Sequence, residues 1–352
     1  MSTRRVVRTS RAPTGRPIRE RRTVGIFVVA LLLAAAGTAC SSSGAHGSTS
    51  STSADGAGNS APSTVADTAA GTLLDAVCAG SATVSDAGTV TAPALTEASG
   101  IAASRRTPGV WWVHNDSGDS ARFFAISDSA ELLATVDVEG AVATDWEDIA
   151  VGPPTSDAGG ETLYLADIGD NGRNRPNITV YRVAEPAIDL AATTAATDHV
   201  TAEALTFTYP DGAHDAEALL VDPRTGDLVI VTKDWTLTGH SDVFRAPAGL
   251  AAGSTTVLEH VATLDLPIGT LVTAADVSPD GAVVALRSYA AVSLYARPEG
   301  QDVWAAFTQS PCAGPPPIEK QGEAIGFAAD GSAYATISEG EDPTLHLTHL
   351  RS

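Results

Sequence analysis

One unit recurs five times between Ser99 and Asp342, and it restricts the fold more than any other feature of the chain. A short apolar strand makes a tight turn into a second apolar strand, which ends in a polar cluster. The first copy is Ser99-Gly100-Ile101-Ala102-Ala103, then Val110-Trp111-Trp112-Val113, then His114-Asn115-Asp116-Ser117-Gly118-Asp119. The second opens at Glu147-Asp148-Ile149 and closes on Asp167-Ile168-Gly169-Asp170-Asn171. The third runs from Glu217-Ala218-Leu219 to Lys233-Asp234-Trp235, and the fourth from Thr273-Ala274-Ala275 to Arg287-Ser288-Tyr289. The fifth runs from Glu323-Ala324-Ile325 to Ser338-Glu339-Gly340. Hydrophobicity alternates with period two, and Gly, Pro and Asp mark turns every eight to twelve residues.

Successive copies leave room for two further strands each. Candidates for the third strand are Arg122 to Ile126, Ile178 to Val183, Asp242 to Ala246 and Val292 to Ala296. Four antiparallel strands per repeat make a propeller blade. The expected fold is therefore an all-β propeller of about five four-stranded blades, with six as the alternative count and a β-sandwich as the competing architecture. The fifth copy runs out at Leu350, one strand short, and Ala82 to Ala92 can supply that strand and close the ring.

Residues 1–39 read as a secretory signal. Met1 to Arg22 carries eight arginines and one acid, and the apolar run Val24 to Ala36 is too short for a bilayer, which takes about 20 residues. The run ends Gly37-Thr38-Ala39-Cys40, which resembles a lipobox. That resemblance implies a diacylated Cys40 holding the protein to the outer face of the cell membrane. Plain cleavage is the alternative, because Gly37 stands where Leu is usual. Arg21-Arg22 leaves twin-arginine and general export both open. Residues 40–75 are rich in Ser, Gly, Ala and Thr and read as a disordered tether, which leaves 76–352 for the propeller.

Without the signal, 21 Lys+Arg against 42 Asp+Glu becomes 13 against 41, a net charge of about −28. Such a surface repels phosphate backbones and anionic headgroups, so nucleic acid is excluded and the membrane is met only through the lipid. A monomer with a small anionic ligand or a protein partner is expected. With Cys40 assigned to lipid, Cys78 and Cys312 remain to pair in an oxidising compartment. They would flank the closing blade.

Aligning the copies places Ser99, Glu147, Glu217, Thr273 and Glu323 at one position, at the mouth of the central channel. The second-strand ends bring Asp116, Asp119, Asp167, Asp170, Lys233, Arg287 and Glu339 to the same rim. Converging carboxylates need a counter-charge, and calcium takes six to eight oxygens from such groups. Asp116, Glu147, Asp167, Glu217, Glu323 and Glu339 are the candidate metal ligands, with Asn115 and Asn171 as neutral donors. The alternative is a solvated rim of turn formers. Lys233 and Arg287 would either grip an anionic ligand or neutralise neighbouring acids. His114 reads as a packing residue, and Trp235 as a stacking face. No nucleophile elbow, phosphate loop or zinc helix occurs.

Three segments, Asp215-Ala216-Glu217-Ala218-Leu219, Asp222-Pro223-Arg224-Thr225-Gly226-Asp227 and Gln321-Gly322-Glu323-Ala324-Ile325, resemble those of secreted bacterial β-propeller lipoproteins and, more distantly, β-propeller phytases. That resemblance implies a calcium-dependent phosphoester hydrolase, with calcium activating water and Lys233 and Arg287 holding the anion. A non-catalytic module that binds a ligand or partner through its acidic mouth is the first reading. Hydrolysis is the alternative.

Overall fold

In the computed structural model each recurring unit is one blade, and five blades form a closed β-propeller. Described are residues 68–351, apart from 91, 156–159, 193, 316 and 317. The signal, Cys40 and the tether up to residue 67 lie outside the described residues.

From the axis outward, blade 1 is Ala98–Ala103, Val110–Asn115, Arg122–Ser127 and Leu132–Glu139. Blade 2 is Trp146–Gly152, Thr162–Asp167, Ile178–Ala184 and Glu203–Thr208. Blade 3 is Ala216–Val221, Leu228–Thr232, His240–Ala246 and Glu259–Asp265. Blade 4 is Val272–Val277, Val283–Ser288, Val292–Ala296 and the short Cys312–Ala313. Blade 5 takes Gly322–Phe327, Ala333–Ser338 and Thr344–Leu350, then Ala82–Thr89 from the start of the domain. Ala82 pairs with Leu350 and Thr89 with Thr344, so the ring closes as the sequence predicts. Ala196–Thr201 and Thr255–Val257 each add a parallel strand to the outer edge of the preceding blade, which covers edges that would otherwise stay unpaired.

The innermost strands explain why the first strand of the repeat is rich in Gly and Ala. They are buried and crowd a narrow axis. A Cβ at Gly100 would overlap His114 Nε2 and the Ile149 backbone, and one at Gly326 would overlap the Ile101 carbonyl. The apolar core is a layer between each pair of neighbouring blades. Trp111 lies in the layer between blades 5 and 1, and Trp112 and Trp146 in that between blades 1 and 2.

One element is missing from the sequence reading. A helix, Ala69–Cys78, precedes the closing strand and is capped by Thr68 Oγ1, which accepts from Gly71 N at 3.1 Å. It buries Leu73, Leu74 and Val77 against blades 4 and 5, each contributing about 1.5–3 kcal/mol. Residues 69–75, assigned to the tether, therefore belong to the folded part. The Ala-Gly-Thr composition of the helix continues that of the tether and hides its i, i+4 stripe, Leu73 and Val77. Cys78 closes the helix and is disulfide-bonded to Cys312 in the outermost strand of blade 4. The covalent staple thus lies beside the closing blade and complements its hydrogen-bonded seam.

Candidate functional site

Every innermost strand begins with a β-bulge. The extra residues are Ser99, Glu147, Glu217, Thr273 and Glu323, the five positions that the repeat alignment equates. A bulge leaves its extra residue out of the ladder and re-aims its side chain. Here it directs Ser99, Glu147, Glu217 and Glu323 into a cavity of about 100 Å³ at one end of the channel. Thr273 turns away from the cavity and donates to the Gly322 carbonyl at 2.9 Å.

The ladder register sorts the second-strand ends. The residue just past the pair facing each bulge is Asp116, Ile168, Lys233, Tyr289 or Glu339. Four of these line the cavity, and Ile168 is buried in the core. One position earlier stand Asn115, Asp167 and Ser338, which serve the backbone entering each blade. Asn115 Oδ1 accepts from Thr96 N and Glu97 N, Asp167 Oδ1 from Asp145 N, and Ser338 Oγ from Gln321 N.

Register therefore corrects three assignments. Asn115 is not a free donor: its amide nitrogen is also committed, to the Ala94 carbonyl and Asp119. Asp167 is not a rim ligand, because it is buried and paired with Arg175 at 2.9 Å. Arg287 is not the counterpart of Lys233, since that place belongs to Tyr289. Arg287 lies two residues earlier, buried in an ion pair with Glu319. Asp119 pairs with Arg122 at 2.7 Å, and Asp170 accepts from Asn174 N and Arg175 N, both as turn acids do. Asn171 does reach the cavity, as expected.

The cavity is divided electrostatically. On the side of blades 3 to 5, Lys233 Nζ is paired with Glu217 and donates to Tyr289 Oη at 2.7 Å. It also lies 4.9 Å from the Trp235 ring and 4.7 Å from the Tyr289 ring. Burial works against this ammonium, but Glu217 and Tyr289 outweigh it and raise its pKa. Gln321 Nε2 donates to Glu323 at 2.6 Å and also to Glu339.

On the side of blades 1 and 2 the acids lack such donors. Asp116, Asp145 and Glu147 each present a carboxylate oxygen, all within 4.8 Å of one another. Glu147 is 4 % exposed. Among the described residues its carboxylate meets only the Ser99 hydroxyl, at a long 3.4 Å, while that hydroxyl donates more closely, at 2.7 Å, to the Glu147 carbonyl. Among the described residues Asp145 has no side-chain hydrogen bond, and Asp116 accepts only from the adjacent Ser117 N. Burial, then the charges of Glu217, Asp116 and Asp145, push the Glu147 carboxyl well above its ordinary range. Burial, then Asp116 and Asp215, push Asp145 up to about 7.

Asp145 escapes the sequence reading because it precedes the repeat unit. Its equivalents two residues before the other bulges are Glu97, Asp215, Leu271 and Gln321, polar in all but blade 4, so a longer alignment would have found it. Asp148 also escapes it. This buried carboxylate accepts from Leu219 N at 2.9 Å and from Ala275 N at 3.3 Å, joining blade 2 to blades 3 and 4. His114 is a packing residue, as read: its Nδ1 donates to the Asn115 carbonyl at 2.8 Å, its ring lies edge-on to Trp146, and burial lowers its pKa to about 4.

No protein-family model and no curated protein matches this chain, so the geometry of the mouth is the ground for a functional reading.

Proposed function

We propose that the propeller is a non-catalytic binding module whose channel mouth holds calcium. The observation that carries this is Glu147, a buried carboxylate that faces the cavity without a charged or close donor and lies beside two further carboxylates. Three oxygens no more than 4.8 Å apart lie within about 2.8 Å of a common point, a few tenths of an ångström from calcium's 2.3–2.6 Å. The donor set is oxygen only, with no Cys or His, which favours a hard cation over zinc or copper. Asp116, Asp145 and Glu147 would hold the ion, and calcium would supply the positive charge that the blade 1–2 side lacks.

Phosphoester hydrolysis is the weaker reading. Lys233 and Arg287, the cations meant to hold the phosphate, are each committed to a buried carboxylate. The signal sequence and Cys40 support display at the outer face of the cell membrane. Isothermal titration of the chelator-treated protein with calcium tests the site. One ion should bind to the native protein and none to Glu147→Gln. Equal binding by both proteins would place the ion elsewhere.

A further inference from the structure

We infer that the calcium-loaded mouth recognises a neutral polyol, a sugar or cyclitol that offers adjacent hydroxyls, with Trp235 as its stacking face. This inference rests on the calcium reading above and adds the ligand class. Charge supplies the first argument. One calcium against Asp116, Asp145 and Glu147 leaves a net negative site. Glu217 and Lys233 cancel, while Glu323 and Glu339 share only the neutral amide of Gln321. Even when loaded, the mouth repels phosphates and carboxylates. An organic cation fares no better. At the aromatic rings that would attract it, Trp235 and Tyr289, it would be repelled by the Lys233 ammonium already lying against them.

Coordination supplies the second argument. Three carboxylates do not fill the six to eight positions of calcium, so the open positions face the cavity. Two hydroxyls on adjacent carbons replace two waters there without adding charge.

The third argument is a prepared surface. The cavity has room for the ion and a few waters, so a larger ligand must lie across its opening. Trp235 lines that opening and is 41 % exposed. Its ring is fixed from behind, with Nε1 donating to the buried Asp215. The following loop is tied down by Asp234, which accepts from Thr236 N at 2.8 Å, Thr238 Oγ1 at 2.8 Å and Gly239 N at 2.8 Å. An immobilised aromatic ring suits the flat C–H face of a sugar and loses little entropy on binding. Asn171 offers an amide at the same rim.

Titration of the full chain, first with calcium and then with mannose, galactose, glucose, myo-inositol or inorganic phosphate, tests the inference. At least one polyol should bind in calcium and weaken about tenfold or more in chelator. Trp235→Ala should lose that polyol by a similar factor while keeping its calcium affinity, and Trp235→Phe should fall between the two. If calcium itself fails to bind, the calcium reading falls and this inference falls with it. If calcium binds but no polyol does, or phosphate binds in their place, or Trp235→Ala binds the polyol as the native protein does, only the ligand class is overturned.

Discussion

The blade 3–5 side of the mouth and the blade 1–2 side are built on equivalent positions, yet they balance charge in different ways. Glu217 has Lys233, Glu323 and Glu339 have Gln321, and Asp215 has the Trp235 indole. Across the cavity, Glu147 has a distant hydroxyl and Asp145 nothing among the described residues. The cause is one substitution between repeats. The place that Lys233 fills in blade 3 is taken in blade 2 by Ile168, which is buried in the core. An ammonium built into one side and missing from the other teaches that the fold neutralises part of its ring and leaves Asp116, Asp145 and Glu147 without a built-in counter-charge.

The largest expected effect comes from breaking the neutralised side. Lys233→Met leaves Glu217 buried without its partner and should cost about 3–5 kcal/mol in denaturant unfolding. Calcium should recover part of that loss. A loss under 1 kcal/mol would mean that the pair is relaxed and hydrated, and the contrast would disappear.

Next in size is calcium acting on the native protein. At a hundred times its Kd it should add about 2.7 kcal/mol, read as a rise in melting temperature. A melt unmoved by calcium would leave the blade 1–2 side a solvated rim.

The third effect is on pH. A carboxyl whose pKa is raised by folding binds its proton more tightly in the folded state, so stability falls as pH climbs from the unfolded to the folded value. For Asp145 that window runs from its ordinary 3.8 to about 7. Burial raises Glu323 from 4.5 to about 7, and it titrates in the same window. In chelator the protein should lose stability across this range. Saturating calcium should flatten the Asp145 part of the slope, because the ion favours the charged form. Parallel profiles with and without calcium would contradict this.

The smallest effect is a control. Asp119 shares the Asp-x-Gly-Asp run with Asp116, but it is engaged by Arg122 and Asn115. Asp119→Ala should cost about 1 kcal/mol or less and leave the calcium response intact. Loss of that response would add Asp119 to the ligand set.

The fold was legible because each blade repeats its strand-turn-strand signature, and the five bulges fell where the repeats align. The closing strand and the Cys78–Cys312 pair followed from counting. What the repeat could not carry was register. Arg287 and Tyr289 both end the fourth copy, and only the bulge decides which of them reaches the mouth. The Asp148 partners are backbone N–H groups on other blades, which no side-chain pattern records. The helix at 69–78 was hidden because its polar face shares the composition of the tether.

On sequence alone Glu147 and Glu217 are interchangeable, and the structure makes them opposites. Thermal melts of Glu147→Gln and Glu217→Gln, each in chelator and in calcium, test this most directly. Glu147→Gln should melt higher than the native protein in chelator, because an unpaired buried charge is gone, and should lose the calcium response. Glu217→Gln should melt lower, because Lys233 is left buried and unpaired, and should keep the response. Shifts of the same sign, or a calcium response lost through Glu217 and kept without Glu147, would contradict the account.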